Sequence, residues 1–416
     1  MSIRGKTLLA TNLTLICFFV FIGSNLLASE GEDAKDHRLK SVRAMGMGNA
    51  FAAIANDGDA FYYNPAGLAT IRNTRFDIQP VRFIPSEDFY DQFRDINNFL
   101  DDLEAISDNQ EWLEDPDLED ERRRLMERLE SLVSDYFLLD TAIPVRAIVP
   151  LHVGNYGLSV GVMAHAWSMS EIAVQRRGLD WSDFIYDVLD DELLYSGTLE
   201  ASYGAAAAIE FPMSTLPLEL SFGITARRIR RWRLTDEDDL LGLEDLMNPY
   251  GKDGIEGTSD DLIARFFDPE DPWENVAEGE GYSVDIGSIG TINDAINVAV
   301  VVQNLVGHVD YDEEEDDDLP LNVGASAAVN LARLGGSGIS NLDIILAAEV
   351  DRTNKARMGL EVVLDLPLLA LSGRIGSNRG FMTLGAGIQL MFLDFDYAFY
   401  ADDDADWHAF SLNLAF

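Results

Sequence analysis

The carboxy-terminal stretch Asp406–Phe416 sets Phe410, Leu412, Leu414 and Phe416 in alternation with Ala409, Ser411, Asn413 and Ala415. Alternation of period two sends successive side chains to opposite faces of a strand. One face here is wholly apolar and the other small and polar, which suits a wall between lipid and a wet interior. The same pattern recurs in segments of roughly the ten residues that a tilted strand needs to cross a bilayer. They are Thr74–Ile84, Thr141–Val153, Tyr156–Met169, Tyr195–Phe211, Leu216–Arg233, Gly281–Ile289 and Ala295–Gly307, then Leu321–Arg333, Leu342–Asp351, Ala356–Leu364, Leu368–Ser377, Phe381–Leu390, Phe392–Tyr400 and Trp407–Phe416. Fourteen antiparallel strands closing into a transmembrane β-barrel are the expected fold, all-β, spanning 74–416.

The connections argue the same way. Pro85–Asp140, Ser170–Leu194, Leu234–Glu280 and His308–Pro320 are long and acidic, and each follows an odd-numbered strand. The intervening connections, such as Gly154-Asn155 and Asp365–Pro367, are tight. Long loops on one rim and short turns on the other are the asymmetry of outer-membrane barrels, with the long loops outside the cell. Within the first long loop, 85–140, the spacing of Phe99, Leu103 and Ile106 and of Leu125, Leu129 and Leu132 predicts two helices separated at Pro116.

Alternation also assigns faces. Met382, Leu384, Ala386, Ile388 and Leu390 are expected against lipid, with Thr383, Gly385, Gly387 and Gln389 inside. The same parity turns Glu349, Arg357, Glu361, Arg374, Asp394 and Asp396 into the lumen, where opposite charges on neighbouring strands can pair. A solvated face of an ordinary sheet would show the same alternation.

At the amino-terminus Arg4 and Lys6 precede an apolar run, Leu13–Ile22, and small residues around Ala28 and Ser29. That is the order of a secretory signal peptide over 1–28, with an apolar run short for a spanning helix; a retained membrane anchor is the other reading. Cys17, the one cysteine, lies inside it, so the mature chain is expected to hold no thiol chemistry. A formal charge of −43 argues against nucleic acid as a partner, since phosphate recognition rests on clustered Lys and Arg.

Chemistry-bearing motifs are sparse. Gly157-Leu-Ser-Val-Gly161 spells a hydrolase elbow but lies inside an alternating strand, without the turn and helix that the motif needs. Five scattered histidines show no metal-ligand spacing, and no dinucleotide or phosphate-binding signature occurs. Catalysis and an organic cofactor are not expected. Asp253, Glu256, Asp260 and Asp261 alternate with glycine in a way that could wrap calcium or simply form a solvated turn. The run Asp310–Asp318 fits divalent ions bridging to lipopolysaccharide, or adaptation to salt.

Between the signal and the first strand, 29–73 is too rich in Gly, Ala and Asn for a core of its own, yet too apolar for a free tail. Met45-Gly-Met-Gly48, Asp57-Gly-Asp59 and Tyr63-Asn-Pro-Ala-Gly-Leu68 make it resemble the amino-terminal hatch of the long-chain fatty acid transporter superfamily of outer-membrane barrels. Val302-Gln-Asn-Leu305, Leu319-Pro-Leu-Asn-Val-Gly324 and Asp394-Phe-Asp-Tyr-Ala398 are similar to the branch holding the secretion barrel subunit of the porin-V kind. The acidic helical insertion resembles the conjugal-transfer TraF-like relatives. The resemblance implies a fourteen-stranded barrel in the outer membrane of a Gram-negative cell, plugged from within, that passes a hydrophobic, fatty-acid-like molecule inward. Gly46, Gly48, Asp57, Asn64, Pro65 and Ala66 would then be gate elements or a static plug. A docking barrel serving a secretion or conjugation machine is the other reading.

Overall fold

In the computed structural model, the described residues are 41–85, 137–153, 156–175, 192–213, 217–235, 241–242, 276–311, 319–334, 341–352, 356–401 and 406–416. The strands are β1 (Arg75–Pro85), β2 (Phe137–Val153), β3 (Tyr156–Gln175), β4 (Glu192–Met213), β5 (Leu218–Thr235), β6 (Leu241–Gly242), β7 (Val276–Ile292) and β8 (Ile296–Tyr311). They continue with β9 (Asn322–Asn330), β10 (Leu342–Asp351), β11 (Arg357–Leu366), β12 (Leu369–Asn378), β13 (Phe381–Leu390), β14 (Leu393–Ala401) and β15 (Asp406–Ala415).

Every pairing is antiparallel, and β15 pairs with β1 while β5 pairs with β7, so the sheet closes on itself. The two-residue β6 pairs only with the outer end of β4, leaving the fourteen strands that alternation predicts in the barrel. Phe76 and Phe416 exchange backbone hydrogen bonds of 2.9 Å in both directions, which seals the carboxy-terminal strand onto the first. A closed ring leaves no backbone donor unpaired toward an apolar surround.

Outward positions form an apolar belt, with Val162, Phe222, Ile224, Leu346, Leu384, Ile388 and Phe395 all exposed. Aromatic rings gather at its edge on the short-turn rim: Phe392 stacks on Phe416 at 5.6 Å, and Phe211 meets both Tyr156 and Phe222. An apolar band edged by aromatic rings is the outer surface of a membrane barrel.

Three details differ from the expectation. The segment Leu321–Arg333 does not stay extended: β9 ends at Asn330, and Leu331–Leu334 is a helical turn. Asn330 accepts a bond from the Ala332 amide and Arg333 pairs with Asp343, so side-chain capping outcompetes the strand. The loop expected over 85–140 is shorter at its end, because β2 already begins at Phe137. β3 and β4 run 20 and 22 residues, beyond what a bilayer requires. The signal segment 1–28, the two loop helices and the calcium candidates Asp253, Glu256, Asp260 and Asp261 lie outside the described residues.

Candidate functional site

Residues 41–71 lie within the ring and are almost wholly buried. Ser41 caps the helix Val42–Met45 by accepting from the Ala44 amide at 3.1 Å. Gly48 and Asn49 then take left-handed conformations, at φ of 62° and 59°, and reverse the chain. Asn64 caps the 3-10 helix Pro65–Thr70 through a 3.1 Å bond from the Ala66 amide, and its amide nitrogen donates to the Ala52 and Ser288 carbonyls. Tyr63 ties the two ends together, accepting from the Ser41 amide and donating to Asn49 Oδ1 at 3.0 Å.

The wall meets this inner segment with glycine. Gly46 lies against Gly385 of β13, Met47 and Gly48 lie over Gly359 and Gly376 of β11 and β12, and Asn64-Pro65-Ala66 lies over Gly223 and Gly287 of β5 and β7. The gate candidates Gly46, Gly48, Asn64, Pro65 and Ala66 are therefore among the points where the segment presses on the wall, at two separate sectors of the ring.

Charge fixes what sterics position. Arg43 Nη1 contacts Asp57 at 2.7 Å and Arg43 Nη2 contacts Glu361 of β11 at 2.7 Å. Arg374 of β12 bonds the same Glu361 at 2.8 Å and Asp396 of β14 at 2.6 Å. Asp57, Arg43, Glu361, Arg374 and Asp396 thus alternate in sign along one relay from the inner segment to the wall. Arg146 of β2 pairs with Asp59, and Arg75 of β1 bonds Asp77 at 2.6 Å while standing 3.9 Å from Asp394. Farther round, Glu349 accepts from the Phe51 and Ala52 amides at 3.0 and 2.9 Å. Arg357 joins Glu349, Asp351 and the Asn49 carbonyl. A cavity of about 280 Å³ borders the relay.

Burial pulls the Asp57 carboxyl upward, but Arg43, Arg75 and Arg146 outweigh it and hold the group below its ordinary range. Asp59 goes the other way, because burial and the nearby Asp57 charge together exceed the pull of Arg146. Burial raises the Tyr63 hydroxyl well above its usual value, so it stays a donor.

Sequence reasoning singled out Asp57, Glu349, Arg357, Glu361, Arg374, Asp394 and Asp396, and all lie in the interior. Asp394 stands apart from the relay. Arg43 and Arg146 were missed, and Asp59 was noted only as part of the Asp57-Gly-Asp59 motif, although Asp77 and Arg146 follow the same inward parity as the residues that were found. The rest of the described interior mixes polar and apolar side chains: Arg227 pairs with Asp285 at 3.0 Å and Arg231 with Glu200 at 2.9 Å, while an apolar patch lies under part of the inner segment. Phe51, Ile54, Phe61 and Leu68 pack on Ile148, Met163, Ile289 and alanines 206, 208, 299, 328 and 347 of the wall. Among the described residues no cluster of His, Cys, Asp or Glu could hold a metal ion.

A family model described as "F plasmid transfer operon, TraF, protein" matches residues 61–351. No curated protein matches the chain. Among solved structures, the chain is similar to the toluene transporter TbuX of Ralstonia pickettii, at 10% identity over 89% of this chain and 96% of that one, with a TM-score of 0.47. It is also similar to the toluene transporter TodX of Pseudomonas putida, at 7% identity over 90% and 96%, with a TM-score of 0.42. The translocator domain of the autotransporter NalP from Neisseria meningitidis shares 10% identity over 90% and 99%, with a TM-score of 0.37.

Proposed function

The chain belongs to the family of the F plasmid transfer operon TraF protein, and from that premise we propose that it is an outer-membrane barrel whose inner segment is a hatch gating small hydrophobic molecules. One observation carries this reading: the hatch covers an apolar bed. The wall beneath Phe51, Phe61 and Leu68 is lined by alanine, isoleucine and methionine. Withdrawal of the hatch would uncover this apolar patch beside the polar groups Glu349, Asn297 and Gln303 that bond the hatch backbone, a surface on which a hydrophobic molecule could move. The opposite half of the hatch is held by buried ion pairs of Arg43 with Asp57 and Glu361.

The test is uptake of radiolabelled naphthalene by intact cells with a lipopolysaccharide outer leaflet, with and without the chain. Faster uptake in cells that carry it supports passage. Unchanged uptake overturns it.

Membership of a plasmid-transfer family favours a second reading, a docking barrel in a conjugation or secretion machine, and the likeness to barrels of the porin-V kind belongs with it. Under that reading, loss of the chain lowers plasmid transfer between cells and leaves naphthalene uptake as it was.

A further inference from the structure

A second cavity, of about 410 Å³, lies across the inner segment from the ion-pair relay, on the rim that carries the short turns. Its volume falls in the range of sites that hold a small organic molecule. The floor carries an apolar patch, where Ile54 and Ala55 of the inner segment face Ile289, Ala328 and Ile345 of the wall, set among the neutral polar side chains Thr70, Thr291, Asn297 and Asn330. The mouth is charged and unbalanced. Arg72 is engaged by Glu210 at 3.0 Å and Arg333 by Asp343 at 3.2 Å, while Glu219 and Asp294 also line the opening. Two cations therefore face four carboxylates.

We propose that this cavity binds one small apolar molecule that is neutral or carries a single positive charge, and that its rim rejects carboxylates. The apolar patch of the floor supplies the attraction, because it removes hydrocarbon from water. The rim supplies the selection, since an anion entering between Glu219 and Asp294 meets like charge while both arginines already hold partners. The inference deepens the passage reading and rests on it for treating the occupant as cargo; on that basis the cargo is not a fatty acid.

Three probes with one ring system separate size from charge: naphthalene, 1-naphthoate and 1-naphthylmethylammonium. Binding is measured on the full chain in lipid nanodiscs, with empty discs subtracted. Saturable binding is expected for the neutral and cationic probes, and about tenfold weaker binding for the carboxylate. Ala328→Trp, which fills the floor, should abolish it. The double variant Glu219→Gln/Asp294→Asn leaves both ion pairs and the floor intact, and asparagine accepts the left-handed turn at 294, where φ is 54°. That variant should bind naphthoate nearly as well as naphthalene.

Equal binding of all three probes, or charge selection unchanged in the double variant, overturns the inference. Expected binding in nanodiscs without uptake by cells sustains the site and sinks passage. Uptake by cells without saturable binding does the reverse.

Discussion

Gly46 of the inner segment and Gly385 of β13 meet backbone to backbone, so that a Cβ built on either stands 2.9 Å from the Cα of the other. No side chain fits such a gap, and each glycine answers the other across 339 positions of sequence (385 minus 46). The same device recurs where Pro65 rests on Gly223 and Gly287. Two sectors of the ring are thus shaped to one segment.

Gly385→Leu should therefore displace residues 41–48 while sparing the barrel. The expected signs are faster trypsin cleavage at Arg43 and higher conductance in planar bilayers, with the folded barrel still heat-resistant on gels. Gly373→Leu is the control, because a Cβ there meets nothing within 4 Å. Equal behaviour of the two variants would show that close packing at Gly46 does not hold the segment.

Arg43 joins the inner segment to the wall, and replacing it with methionine leaves Asp57 without its closest cation while Glu361 keeps Arg374. The loss should be about 3 kcal/mol, toward the low end for a broken buried pair, since Glu361 remains neutralised. Arg43→Lys should recover little, because both arms of the guanidinium are in use, with two bonds to Glu361 and one to Asp57. Urea midpoints of the three proteins decide it.

The two carboxylates of the inner segment respond to pH in opposite directions. Asp57 is held below its unfolded value, so its contribution is complete above the ordinary carboxyl range and is lost as pH falls through its depressed value. Asp59 is raised, so its contribution is complete at low pH and is lost as pH rises through its folded value. Below about pH 4 the inner segment should loosen, read as accelerated pepsin cleavage. Asp57→Asn should bring that loosening to neutral pH. Asp59→Asn should not, because the fold already favours the uncharged form at that position.

How much of this was legible in the sequence follows from what alternation can carry. Parity along one strand needs no partner, so the outward Leu384 and the inward Thr383, Glu361 and Arg374 were readable at once. Strand ends were not, because they depend on side chains that compete for backbone, as Asn330 does at the end of β9. Pro80 lies where the register of β1 shifts between Ile78 and Val81, a bulge that alternation alone does not announce. The relay was half visible. Glu361 and Arg374 are register neighbours on adjacent strands, whereas Arg43 reaches Glu361 over a separation of 318 residues, which only closure of the ring brings together. The glycines of the wall read as small lumen residues, but nothing local says which part of the chain they receive.

Asn304 offers a test of how the wall holds the other end of the inner segment. It occupies φ of 50° where β8 gains residues against β7, between the pairs Val284 with Val306 and Ile286 with Val302. Its side chain accepts from Ser283 at 2.8 Å and donates to the Pro320 carbonyl at 3.1 Å, and its amide bonds Asp285 at 2.8 Å. The bulge aims the preceding Gln303 inward, where it donates to the Tyr62 carbonyl at 2.7 Å and accepts from Asn322. Asn304→Gly keeps the backbone and loses the side-chain bonds, and should cost about 1 kcal/mol. Asn304→Val adds a β-branched residue in a left-handed conformation and should cost about 2 kcal/mol more. If the bulge also positions Tyr62, trypsin should cut at Arg72 faster in the valine variant than in the glycine variant at equal urea. Equal cleavage would mean that Gln303 finds the Tyr62 carbonyl without help from the bulge.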